Sequence, residues 1–135
     1  MTRNEINDLV RRYLLGCEQQ DVGALVSYYA GDCTVESPIF GTIHGRTKLR
    51  ATYAEFFAAV TNFTVTFNDI IIDHEHNERA VLVYSASWIQ CGALSGIPAT
   101  GGRFENVGAF VFTFREAVSP QKDASIRSER CPCRS

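Results

Sequence analysis

The stretch YLLGCEQQDVGALVSYYAGDCTVESPIFGTIHGRTKLRATY, Tyr13 to Tyr53, carries the chain from helix into sheet and back to helix. Its opening continues an apolar stripe begun upstream. Ile6, Leu9, Val10, Tyr13, Leu14 and Cys17 recur at i, i+3, i+4 and i+7, which predicts a helix from about Asn4 to Gln19 with one buried face. Thr2 and Glu5 make a capping box in front of it, with Asn4 as an alternative cap. Asp21 is placed to cap a short second helix through Val22, Leu25, Val26 and Tyr29. CTVES, 33–37, then reads as a short strand. Gly45 and Thr47 introduce a third helix, on which Leu49, Tyr53, Phe56, Phe57 and Val60 share a face.

Past Val60 the period changes to two. FTVTFNDIII (63–72), AVLVYSASWIQCG (80–92) and RFENVGAFVFTFR (103–115) are rich in β-branched and aromatic residues and bounded by turn signals. DHEHNE (73–78) reads as a hairpin turn and ALSGIPATGG (93–102) as a longer loop. SPQKDA (119–124) makes another turn before a short last strand, SIRSER (125–130). Helices first and strands after predict an α+β domain with helices on one side of a mostly antiparallel sheet. Strand parity sorts the third long strand into two faces. Phe104, Asn106, Gly108, Phe110, Phe112 and Phe114 point one way, toward a core or cavity; Glu105, Val107, Ala109, Val111 and Thr113 point the other.

The 135 residues are expected to form a single domain, 1–135, long enough to bury roughly two-thirds of the unfolded surface. A net charge of -2 with scattered basic residues gives no electrostatic reason to expect nucleic acid or a membrane surface as partner. No window reaches the ~18 apolar residues of a membrane span, and MTRNEINDLV lacks the apolar core of a signal peptide. The expected address is therefore cytoplasmic, with the five cysteines as thiols. Cys17, Cys33 and Cys91 read as small core residues. Neither the CPC tail (Cys131, Cys133) nor the cluster Asp73, His74, Glu75 and His76 makes a convincing metal site, and no cofactor is expected.

The Tyr13–Tyr53 segment resembles the front half of ketosteroid isomerases and of the wider nuclear transport factor 2-like superfamily, which includes the SnoaL-like cyclases. TVESP (34–38) and IHGR (43–46) are its most isomerase-like parts, and GIPATGG (96–102) looks like the SnoaL-like cyclases. The resemblance runs, with gaps, from about Ile6 to Arg130. It implies a cone-shaped α+β barrel, three N-terminal helices packed on a curved, mostly antiparallel sheet, enclosing a deep apolar pocket.

Three tyrosines, Tyr13, Tyr29 and Tyr53, fall where the isomerases keep theirs. Those enzymes move a proton beside a carbonyl with an aspartate base and hold the enolate oxygen with a tyrosine and a protonated aspartate. By the same resemblance the base position is Ser37, the second acid falls on Phe110, and a histidine of the cyclases falls on Gln90. A serine hydroxyl is a far weaker base than a carboxylate.

The pocket residues expected from stripe, parity and resemblance are Tyr13, Tyr29, Ser37 and Tyr53, with Trp88, Gln90, Phe110 and Phe112 from the sheet. They should border one cavity of roughly several hundred Å3. Core packing competes with ligand contact for each tyrosine and for Trp88, and Ser37 is either a cavity hydroxyl or a serine bonded to backbone. His44 reads as a turn or rim residue.

Two functions stay open: a small-molecule-binding protein without the usual catalytic acids, or an isomerase-, cyclase- or hydrolase-type enzyme using Tyr13, Ser37, Gln90 and His44. The expected partners are a small apolar organic ligand and a second copy of the chain. The second copy would meet an outer apolar row of Val107, Ala109, Val111, Val81, Val83 and Ile89.

Overall fold

The structure, a computed structural model, describes residues 2–37, 40–73, 78–115 and 125–130. The first helix, α1 (Arg3–Gln19), starts at the expected capping box. The Glu5 amide donates to Thr2 Oγ1 at 3.2 Å, and the Thr2 amide donates to Glu5 Oε1 at 3.3 Å. Ile6, Leu9, Val10, Tyr13 and Cys17 form its buried stripe, with Gly16 beside them against Leu25. Asp21 caps α2 (Val22–Ser27) by accepting from the Ala24 amide at 3.0 Å.

Two boundaries differ from expectation. Tyr29 opens the strand β1 (Tyr29–Ser37) instead of closing α2, and Val60 opens β3 (Val60–Asp73) instead of closing α3 (Arg46–Ala59). Both are junctions where an apolar residue fits either period, and pairing with a neighbouring strand decides between them. GTIH, with His44 expected in a turn or at the rim, is a further short strand, β2 (Gly41–His44), pairing antiparallel with β1. Gly45, at φ +86°, then redirects the chain into α3 while its N–H donates to the Cys33 carbonyl at 2.8 Å. Thus β1 and β2 precede α3, and the helices are not all N-terminal to the sheet.

With β4 (Arg79–Gln90), β5 (Arg103–Arg115) and β6 (Ser125–Arg130), the strands form one sheet in the order β2-β1-β6-β5-β4-β3. Neighbours are antiparallel except β1 and β6, which run parallel. The expected barrel does not close. The sheet is open because β2 and β3 lie at opposite ends of that order, each paired on one side only. Register shifts in β3 between Thr61 and Thr64 and between Phe67 and Asp69 bend the strand that carries them.

The core lies between α1, α2 and the inner face of the sheet, where Ala80, Leu82, Phe112 and Phe114 meet the α1 stripe. Parity along β5 holds: Phe112 and Phe114 are buried, whereas Val107, on the other face, is 70% exposed. Phe104, at the open end of the same strand, is 41% exposed. Cys17 and Cys33 are buried as expected. Cys91 is exposed, because it sits one residue beyond β4, where nothing covers its side chain. The CPC tail, the 119–124 turn and His74, Glu75 and His76 lie outside the described residues.

Candidate functional site

A cavity of about 170 Å3, smaller than expected, lies between α1, α3 and the inner face of the sheet. Local chemistry explains how each element reaches it. On α3, helical spacing stacks Leu49, Tyr53, Phe56 and Phe57 on the cavity side. Alternation presents Phe63, Val65 and Phe67 from β3 and Tyr84, Ala86 and Trp88 from β4. From β5 come Asn106 and Phe110, with Gly108 between them. A Cβ on Gly108 would stand 2.9 Å from the Tyr84 hydroxyl, so the glycine is what lets the Tyr84 ring cross this strand. Tyr84 then stacks on Phe110 with centroids 4.5 Å apart.

The tyrosines expected from the sequence form one hydroxyl cluster. Tyr53 is its hub, 3.1 Å from the Tyr13 hydroxyl and 3.1 Å from that of Tyr29. Tyr13 and Tyr53 line the cavity; Tyr29, fully buried, stands behind them. Phe112 also stands behind the wall, with its ring 5.1 Å from that of Tyr13 in an edge-on contact. Ser37 lines the cavity, and its Oγ accepts from the Phe40 amide at 3.1 Å. The two readings of Ser37 therefore hold together: it is a cavity hydroxyl and a backbone-bonded serine. Trp88 is a wall residue, packed edge-on against Phe56 at 5.5 Å.

Gln90 and His44 are elsewhere. Gln90 has the parity of Tyr84 and Trp88, but β4 ends there and the loop after it folds back over its side chain. Its buried Nε2 donates to the carbonyls of Gly92, Ile97 and Pro98 at 3.1, 3.2 and 3.4 Å. It is a latch for the loop and does not line the cavity. His44 is exposed on the edge strand β2.

The sequence reading missed a second polar pair, Tyr84 and Asn106, both on the cavity wall. Asn106 Nδ2 donates to the Tyr84 hydroxyl at 2.8 Å. The signal was present: Asn106 is the polar residue on the otherwise apolar Phe-rich face of β5, and a polar group in such a row needs a partner.

The described wall offers neutral hydrogen-bonding groups on an aromatic surface, and no Asp, Glu, His, Lys or Arg is among its described residues. It can hold and orient an oxygen of a neutral molecule. Among the described residues no three His, Cys, Asp or Glu side chains gather as a metal site; Asp73 instead pairs with Arg79 at 3.7 Å. No helix of the described residues is long and apolar enough to cross a membrane.

A family model for the SnoaL-like domain matches residues 10–117, and the chain belongs to that family. Solved structures place it among nuclear transport factor 2-like and ketosteroid isomerase-like folds. A nuclear transport factor 2-like superfamily protein from Salmonella enterica serovar Typhimurium superposes with a TM-score of 0.79 at 13% identity, covering 98% of this chain and 90% of that one. A candidate polyketide cyclase from Xanthomonas campestris pv. campestris gives 0.75 at 17% identity, over 96% of this chain and 90% of that one. An epoxide hydrolase/cyclase-like enzyme of pyran ring formation in the polyether salinomycin gives 0.72 at 18%, over 95% and 89%. At these identities the likeness is one of fold. A search of curated protein sequences gave no match.

Proposed function

We propose that this protein binds a small, neutral, mostly apolar organic molecule in the cavity between α1, α3 and the sheet. What carries the reading is an aromatic wall interrupted by a tyrosine hydroxyl cluster at Tyr13 and Tyr53, with no Asp, Glu, His, Lys or Arg among its described residues. Apolar walls supply affinity and a few placed polar groups supply orientation. The size limits the ligand. A dry cavity of ~150 Å3 holds benzene, so about 170 Å3 suits a molecule of one ring rather than a four-ring steroid.

Trp88, the chain's one tryptophan, lines this cavity and supplies the assay. Titration with p-cresol should change Trp88 fluorescence saturably, and Tyr53→Phe should weaken that binding. Absence of any saturable change, with no shift in the thermal midpoint, would overturn the reading.

A second reading, an enzyme of the isomerase, cyclase or hydrolase type with a rearranged site, is favoured by one observation. Two of the similar structures are described as cyclase or epoxide hydrolase/cyclase-like proteins. A product of altered mass or retention after incubation with a one-ring epoxide or enone would favour catalysis over binding.

The outer face of the sheet supports pairing with a second copy. Val81 lies between Ile71 and Val111 in register, and Val83 beside Ala109. Val107 and Ile71 are 70% and 55% exposed. Burying this patch in a twofold interface removes apolar surface from water at ~25 cal/mol per Å2. A cytoplasmic setting completes the proposal, since thiols persist there.

A further inference from the structure

Ligands of such a cavity need only one polar anchor, yet the wall carries two. The first is the Tyr13–Tyr53 hydroxyl pair between α1 and α3. The second is Asn106 with Tyr84, on β5 and β4. A row of rings separates them: Tyr84 on Phe110 at 4.5 Å, Phe110 beside Phe112 at 6.1 Å, and Phe112 against Tyr13 at 5.1 Å. Asn106 and Phe110 line the cavity from one strand, whereas Phe112 stands behind its wall beside Tyr13. The two anchors are distinct groups on the wall of one cavity, with aromatic rings between them.

The chemistry of the second anchor is specific. A primary amide has two N–H donors and a carbonyl acceptor. Tyr84 takes one N–H of Asn106, which leaves the carbonyl oxygen and the other N–H for a group in the cavity. Placement of this amide is costly to the fold. It requires Gly108, because any side chain there would meet the Tyr84 ring that orients Asn106.

We propose that the cavity reads its ligand at both ends. One oxygen of a one-ring neutral molecule sits at Tyr13 and Tyr53. A second substituent that both donates and accepts, an amide or a hydroxyl, sits at Asn106. This rests on the ligand-binding reading above and adds a specificity residue, Asn106, with Tyr84 as its positioning partner.

The test compares p-cresol, which has one polar end, with 4-hydroxybenzamide and its one-carbon-longer homologue 4-hydroxyphenylacetamide. Trp88 fluorescence and calorimetry are read in mildly acidic buffer, where all three probes are neutral. The better of the two amides should bind about five-fold or more tighter than p-cresol, the worth of one well-made hydrogen bond. Asn106→Leu, close in shape, should remove this preference, so that the variant binds neither amide tighter than it binds p-cresol. Tyr53→Phe should weaken p-cresol and the amides alike and keep their ratio. If Asn106→Leu does not fold, Tyr84→Phe serves, and should reduce the preference by releasing the amide. Binding of p-cresol with no preference for either amide, or a preference that survives Asn106→Leu and Tyr84→Phe, overturns the two-ended reading alone. Binding of none of the probes overturns both this inference and the proposed function.

Discussion

Gly108→Ala is the sharpest probe of how the cavity wall is built. Gly108 is buried in β5 opposite Tyr84. Two opposed terms follow. Alanine restricts the unfolded chain, and where the backbone tolerates it this stabilises by about 0.4–1 kcal/mol. Against that, its Cβ would stand 2.9 Å from Tyr84 Oη and 3.1 Å from two ring carbons. The ring has little room to retreat, being stacked on Phe110 and held by Asn106. Overpacking of this kind costs about 1–3 kcal/mol, so the net should be a loss of about 1–2 kcal/mol.

In a Tyr84→Leu background the three nearest atoms are gone, and the same Gly108→Ala should become neutral or stabilising. The sign change is the prediction. Urea unfolding of the four proteins of the cycle, at one protein concentration and unchanged m, measures it. A coupling of about 1–3 kcal/mol is expected. Equal destabilisation by Gly108→Ala in both backgrounds would show that Tyr84 does not cross this strand.

Gln90→Leu should cost about 1–3 kcal/mol, because three loop carbonyls lose their donor. Hydrogen exchange in the 91–102 loop should rise while p-cresol affinity stays unchanged; a loss of affinity would put Gln90 at the ligand after all. If the proposed dimer forms, Val111→Asp should turn it into a monomer on sedimentation, since it would bury an unpaired carboxylate in the proposed interface row. An unchanged dimer would exclude the outer face. Thr2→Ala should destabilise by about 1 kcal/mol through loss of the capping box, read as a lower thermal midpoint. Affinity for a neutral probe should vary less than about two-fold between mildly acidic and neutral pH, because the described wall residues include no Asp, Glu or His. A steep pH profile would reveal an acid or base at the site.

Local chemistry made much of this protein legible in its residues. The capping box of Thr2 and Glu5, the α1 stripe through Tyr13 and Cys17, and the alternation along β4 and β5 depend on neighbours within a turn or a pleat. Together with the family resemblance, these patterns point Tyr13, Tyr53, Trp88 and Phe110 to one wall, and the structure does bring them to one cavity. The rest depended on groups far apart in the chain. Tyr29 fits a helix stripe as well as a strand, and only the partnership of β1 with β2 and β6 settles it. Parity sends Gln90 to the cavity, yet the returning loop and the α3–β3 junction close over it, with the Cys91 amide donating to the Ala59 carbonyl at 2.8 Å. The pairing of Tyr84 with Asn106, across 22 positions, exists because register sets Gly108 opposite Tyr84. Periodicity says which way a side chain points. What it meets there is decided by long-range strand pairing and close packing, which no local pattern encodes.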